Sequence, residues 1–230
     1  MRLYHYPFSS NSRRAALVAV HLGVTLEWVT IDLTKGEQRR PEFLHINPNG
    51  VVPVLEDEGF FLTESHAIIQ YLASKVTGQS LYPAGGRARA DVDRWLFWNA
   101  QHFQPAVGVF VWENLVKPLM GLGSADPAKL QEGAGRVERY ASVLDAHLAD
   151  RRWIAGIGLT LADLAVAASL STAAPANVPL TQYRNLRAWF ASVQALECWK
   201  KTAFDFRGRN TVGPLAAPQT GRAAALFPAA

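Results

Sequence analysis

The sequence predicts an α/β N-terminal region followed by an all-α C-terminal region, and three observations carry that prediction. Up to about residue 78, short runs with a two-residue period are interleaved with helix-period runs. Beyond residue 88 only the helical period persists, and the stretch between them, 77–86, holds three glycines, Pro83 and few apolar residues. The 230 residues are 49% hydrophobic and 18% charged, against roughly 25% charged in ordinary soluble domains. Apolar surface for a core is therefore ample, and a long disordered chain is excluded. The expected organisation is residues 1–78 as the α/β domain, 79–87 as linker, 88–206 as the helical domain and 207–230 as an extended tail rich in Ala, Pro and Gly.

The elements follow in order. Residues 3–6 are aromatic-rich and closed by Pro7, which makes a short strand. Ser9, Ser10, Asn11 and Ser12 supply capping side chains before Ala15, Ala16, Leu17, Val18, Val20 and Leu22, and Gly23 closes the run, so this is a helix capped by one of those serines, Ser12 by expectation. Residues 27–32 alternate as a second strand, and the polar stretch 36–46 predicts an irregular helix. Residues 51–55 and 60–62, joined by Glu56-Asp57-Glu58-Gly59, predict a hairpin. Ala67, Ile68, Tyr71, Leu72 and Val76 recur at helical spacing after Ser65, and Gly78 stops them. The order is βαβαββα.

In the second half, Val92, Trp95, Leu96, Phe103, Val107 and Phe110 form one helical stripe, with a kink expected at Pro105, which lacks a backbone donor and crowds the preceding turn. Leu130, Val137, Ala141, Leu144 and Leu148 form another, and Leu186, Trp189, Phe190 and Val193 a third. Thr160-Leu161-Ala162-Asp163 reads as a capping box with Asp in the usual Glu position, and Leu159 and Leu164 stand at the two staple positions. Asp163 is thereby assigned to folding.

Composition excludes several classes of function. The single cysteine, Cys198, rules out an intramolecular disulfide, a CxxC redox pair and a multi-cysteine zinc site, and fits a reducing compartment. The formal charge is +4 and the pI about 9.4, yet the basic residues come as scattered pairs, Arg13-Arg14, Arg39-Arg40, Arg151-Arg152 and Lys200-Lys201, which read as solvated surface and make no nucleic-acid tract. Arg13-Arg14 followed by an apolar run imitates a secretion signal, but His21 ends the run and no cleavage site follows, so a mature cytoplasmic N-terminus is expected. No apolar stretch approaches the ~18 residues of a membrane span. There is no Walker loop, HExxH or GxSxG, and the six histidines are isolated from one another, so chemistry without a metal is expected.

Three features carry chemistry together. Val52-Pro53 is a candidate cis bond at the start of a strand, where it would leave the Val52 backbone groups free to pair with an extended peptide ligand. Glu64-Ser65 stands where strand hands over to helix: Ser65 and the exposed helix N–H groups suit a carboxylate and Glu64 an ammonium, together an α-amino acid head group, while alone Ser65 is an N-cap. The serine cluster lies at the positive end of the first helix. That dipole supplies about 0.3 to 2 kcal/mol, short of the roughly 2.7 kcal/mol that lowers a thiol pKa by two units. A hydroxyl donating to the charged sulfur adds on the order of 1.5 to 3 kcal/mol, which closes the gap.

Tyr6-Pro7-Phe8-Ser9-Ser10-Asn11-Ser12-Arg13-Arg14, then Asn47-Pro48-Asn49-Gly50-Val51-Val52-Pro53-Val54-Leu55, then Thr63-Glu64-Ser65-His66-Ala67-Ile68, is an order that resembles the cytosolic glutathione S-transferases over residues 1 to about 200. The likeness is to the serine-type, phi-, theta- or zeta-like bacterial members. It implies a thioredoxin-like N-terminal domain, a helical C-terminal domain and a homodimer. It also implies glutathione held by Val52, cis-Pro53, Glu64 and Ser65, with Gln38 and Arg39 offered to the glycyl carboxylate. The family's serine classes place the active hydroxyl four residues before the first arginine of helix one, which is Ser9 here. Ser10 is the second candidate and the strand tyrosine Tyr6 the third. The classes that exchange thiols and disulfides use a cysteine at this place, and this chain has none.

The hydrophobic co-substrate site is expected between the domains, at Phe8, His102, Phe103 and Phe110, with Trp95 and Trp98 left to packing. The function expected is conjugation of the glutathione thiol to a small hydrophobic electrophile, a cytoplasmic detoxification. The alternatives are a glutathione-dependent peroxidase on the same site and a non-catalytic member that binds ligands or partners.

Overall fold

Leu3 and Tyr4, neighbours in the first strand, point to opposite faces of a sheet, and that alternation organises the N-terminal half. In the computed structural model, which describes residues 1–205 and 210–211, β1 (Arg2–His5) lies between β2 (Glu27–Thr30), parallel to it, and β3 (Val54–Asp57), antiparallel to it. β4 (Phe60–Leu62) completes the order β2-β1-β3-β4. The register sets Leu3 opposite Leu55 and Tyr4 opposite Val54. Leu3 and Leu55 join the large core shared with α1 (Ser10–Leu22) and α3 (Ser65–Ser74). Tyr4 and Val54 join Ile31, Val52 and the α2 (Pro41–Ile46) residues Phe43 and Ile46 in a smaller one. The sheet is covered on both faces, as a thioredoxin-like domain requires.

Local chemistry moves some predicted boundaries. β3 starts at Val54, three residues later than expected, because Pro53 has no N–H to give to a ladder. It runs on to Asp57, so the hairpin turn shortens to Glu58-Gly59, whose φ values of 51° and 84° are those a type I′ turn needs. The irregular helix expected over 36–46 separates into 3₁₀ turns at Leu33–Lys35 and Glu37–Arg39, followed by α2.

The C-terminal half contains α4 (Gly86–Trp98), α5 (Gln104–Val111), α6 (Lys117–Leu119), α7 (Pro127–His147), α8 (Leu161–Ser169), α9 (Arg184–Gln194) and α10 (Glu197–Lys201). A π-helical turn, Asn99–Phe103, precedes Pro105, and a second, Trp112–Val116, precedes Pro118. The wider turn shifts the pairing by one residue, which lets a helix pass a proline that has no donor. Every residue of α8 is buried, and its leucines belong to the same core as Leu17 of α1, so the two halves share one interior. The half is not purely helical: β5 (Phe204–Asp205) pairs antiparallel with β6 (Asn210–Thr211), a pairing without a composition signal. The rest of the tail expected over 207–230 lies outside the described residues.

Candidate active site

The loop between β1 and α1 ends in a cap. Ser9 takes extended backbone angles, φ −84° and ψ 123°, and its Oγ accepts the Ser12 N–H at 3.3 Å. The capping serine is thus Ser9 and not Ser12, whose own Oγ accepts the Tyr6 N–H at 3.1 Å and ties strand end to helix. The division follows from position: only the residue preceding the first helical one can reach back to the free amides of the turn. Because the Ser9 oxygen accepts from the helix, its proton is left to be donated elsewhere.

A second loop carries Val52 and Pro53, joined by a cis peptide bond. Asn47, fully buried, builds it: its Nδ2 donates to the Val51 carbonyl at 2.7 Å and its Oδ1 accepts the Asn49 N–H at 3.1 Å. Gly50 has φ 62°, and a Cβ there would stand 3.2 Å from the Gln38 carbonyl oxygen, so only glycine lets the loop lie against the turn that carries Gln38 and Arg39. Arg39 is exposed beside it.

Glu64 precedes α3 with φ 63° and ψ 107°, a left-handed conformation rare outside glycine, and its side chain makes no cap bond. Ser65 is the first helical residue, buried to 6% exposure, and does not cap the helix. Its Oγ instead accepts an N–H of Arg14 at 2.6 Å.

Arg13 and Arg14 correct the reading of the basic pairs as surface, for both are buried. Arg13 stacks on Trp199 at 3.8 Å and donates to the Trp199 carbonyl at 3.0 Å, fastening the C-terminal helices to α1. Arg14 donates to the Ala165 carbonyl and to Asn11, Ser65, Gln104 and Ser169. Burial lowers its pKa to about 9, which leaves it a cation at neutral pH. Beside this group, Asn99 Nδ2 meets His66 Nε2 at 3.0 Å. Burial, and then the Arg14 charge, pull His66 down to about 2, so its ring is neutral and accepts that N–H.

An apolar cavity of about 240 Å³ opens beside the first loop. Tyr6, Phe8, Ser9 and Ser10 form one wall, Leu33 and Thr34 a second, and Val111, Val116, Leu119, Met120 and Thr172 the helical side. The three hydroxyl candidates, Ser9, Ser10 and Tyr6, thus line one chamber with Phe8. Three residues expected there lie elsewhere. His102 is exposed and stacks on Tyr140 at 5.0 Å, Phe103 is fully buried and stacks on Trp98 at 5.4 Å, and Phe110 belongs to the core. All three precede Val111 in the chain, and the helical residues that line the cavity are Val111 and those after it. Residues such as Thr172 carried no signal, since nothing local distinguishes them. Among the described residues no group of His, Cys, Asp and Glu is arranged to hold a metal.

A four-stranded mixed sheet with a cis-proline loop, joined to a helical domain across an apolar cavity, defines a glutathione transferase-type architecture. The family profile of the glutathione S-transferase N-terminal domain matches residues 1–74, and that of the C-terminal domain residues 102–197. The chain is 36% identical over 207 residues to glutathione S-transferase 3 of Zea mays, covering 88% of this chain and 92% of that one. Its fold matches glutathione transferase F7 from Populus trichocarpa with a TM-score of 0.82 at 27% identity, covering 91% of this chain and 99% of the other. It matches a glutathione S-transferase-I bound with lactoylglutathione with a TM-score of 0.78 at 28% identity, covering 88% and 97%. The chain belongs to the glutathione S-transferase family and is an enzyme of that kind, a transferase that uses glutathione.

Proposed function

We propose that glutathione lies along the Val52-Pro53 loop, with its γ-glutamyl head between Glu64 and Ser65, its glycyl carboxylate toward Gln38 and Arg39, and its thiol at Ser9. A small neutral electrophile then occupies the apolar cavity. Residues 1–78 form the glutathione-binding domain, 79–87 the linker and 88–206 the helical domain. The observation that carries this reading is the shared wall: Ser9 and Ser10, at the positive end of α1, are also lining residues of the cavity. A thiolate formed there meets a dipole and a hydroxyl on one side and a largely apolar chamber on the other, where an uncharged carbon electrophile partitions. Ser9 donates to the thiolate without becoming a nucleophile, Ser10 and Tyr6 being the alternatives. The neighbour bound with lactoylglutathione supports a glutathione adduct in such a site.

The active form proposed is a homodimer. Phe60 and Phe61 on β4 and Phe97 on α4 are exposed by 52%, 37% and 68%, and a second copy would cover such side chains. A cytoplasmic setting is proposed from the lone, buried Cys198. No helix among the described residues is long and apolar enough to cross a membrane.

The test is calorimetric titration with glutathione together with ultraviolet measurement of thiolate in the bound peptide, followed by conjugation of a neutral chloronitroarene. Tight binding with thiolate present at neutral pH supports the reading. Absence of binding, or binding with the thiol fully protonated, sinks it.

A further inference from the structure

Arg14 heads the large side chains that are completely buried, and among the described residues no carboxylate pairs with it. A guanidinium has five N–H donors, and five acceptors meet it: the Ala165 carbonyl at 3.3 Å, Asn11 Oδ1 at 2.7 Å, Ser65 Oγ at 2.6 Å, Gln104 Oε1 at 2.8 Å and Ser169 Oγ at 3.1 Å. All five are neutral. The hydrogen bonds are complete and the charge is not compensated, an arrangement that is unfavourable in a protein interior unless an anion joins it.

We propose that Arg14 is a positioning residue for the γ-glutamyl carboxylate of glutathione, its buried charge reaching the ligand through Ser65. This rests on the head-group assignment made above. The geometry sets the direction of the relay. Ser65 Oγ accepts the Arg14 N–H, so the serine's own proton is turned away from the cation and toward whatever lies at the start of α3. A hydroxyl polarised by a cation behind it is a stronger donor to an anion in front. The charge sits where solvent and salt cannot reach it, so its field on a carboxylate at Ser65 is little screened. The same charge also bears on His66, which burial first and then Arg14 hold neutral. A clamp joining α1, α3, α5 and α8 would need the five donors but not the positive charge, and that difference separates the two roles.

The experiment is a ligand-and-mutant cycle by calorimetry on the full chain. The two ligands are glutathione and 4-aminobutyryl-cysteinyl-glycine, which is glutathione without the γ-glutamyl carboxylate. Arg14→Gln is expected to lower glutathione affinity roughly 10- to 150-fold, the equivalent of one charge-assisted hydrogen bond, while the affinity of the shortened analogue changes less than about twofold. Equal weakening of both ligands, or of neither, overturns the proposal. Arg14→Lys preserves the charge without the fork and is expected to retain most of the preference for glutathione over the analogue. If only this variant folds and it shows no preference, the proposal fails as well. A wild-type protein that binds both ligands equally, or a Ser65→Ala variant with unchanged affinity, overturns the head-group assignment itself. A preference lost in Ser65→Ala but intact in Arg14→Gln overturns only the role of Arg14.

Discussion

The indole N–H of Trp189 donates to Asp163 Oδ1 at 2.9 Å, joining α9 to the start of α8 in the centre of the helical domain. The same carboxylate accepts the Ile154 N–H at 2.8 Å, the Thr160 N–H at 2.9 Å and the Thr160 hydroxyl at 3.1 Å. Three separate pieces of chain therefore end on one fully buried side chain, whose pKa is raised by burial against the pull of those four donors.

Asp163→Ala strands buried donors on all three, at about 1–3 kcal/mol for each unsatisfied group. We expect a loss of at least ~3 kcal/mol, which in a chain of this size lowers the melting temperature by roughly 6–12 °C. The folded fraction should bind glutathione normally, because none of the proposed ligand-contacting residues touches Asp163. Thermal melts paired with calorimetry check both halves, and a wild-type melting temperature with lost affinity would move Asp163 into the active site.

Ser9→Ala removes the proposed donor to the thiolate, worth about 1.5 to 3 kcal/mol, or roughly 10- to 150-fold in turnover at neutral pH. It also removes a helix cap, at a cost of about 0.5–2 kcal/mol in stability. Glutathione affinity should hold while the pH profile of turnover moves to higher pH, since the bound thiol becomes a weaker acid. Full activity in Ser9→Ala, with activity lost in Ser10→Ala or Tyr6→Phe, would reassign the hydroxyl among the three that line the cavity.

Stability should fall in mild acid. Burial holds His5 near 4, and burial with the Arg14 charge holds His66 near 2, whereas both titrate near 6.5 in an unfolded chain. Above pH ~6.5 neither state is protonated and the stability is fully present. Between about 6.5 and 4 the unfolded chain binds protons that the fold refuses, so each histidine removes about 1.4 kcal/mol per pH unit. Below about 4, of these two histidines only His66 continues to act. Urea unfolding at a series of pH values from 7.5 to 4.5 reads this slope, on the order of the two-histidine value. His5→Phe, which keeps a ring against Trp28, should reduce it by about half, and a slope unchanged by that substitution would contradict the assignment.

Two glycines of α7 should respond oppositely to alanine. A Cβ on Gly133 would stand 2.8 Å from Val109 Cγ1 and 3.2 Å from Phe110 Cε2, whereas Gly135 has open space. Gly135→Ala is expected to stabilise by roughly 0.5–1 kcal/mol through helix propensity. Gly133→Ala should destabilise by about 1–3 kcal/mol, because the clash with α5 outweighs the same gain. Denaturation midpoints of the two variants decide it, and equal shifts in one direction would show that the α5 contact yields.

Much of this protein was legible in the chain itself, because the signals are local. The αL glycine after α1, the capping box at Thr160 and Asp163, the proline that delays β3 and the Glu58-Gly59 turn each follow from a few neighbouring residues and their backbone preferences. Period-two and helical patterns were enough for the α/β-then-α order, and motif spacing for the family. What only the tertiary structure decided depends on distant partners. Arg13 and Arg14 read as surface because charge usually seeks water. They are interior because Trp199, 186 residues beyond Arg13 in the chain, and polar groups from α3, α5 and α8 come together around them. Phe103 and Phe110 are core residues like the rest of their stripe, and which residues of the helices reach the cavity is set by packing against distant segments. The cavity itself is assembled from loops and helix ends that meet only in the folded chain, so its shape belongs to the packing of the two halves and not to any segment of the sequence.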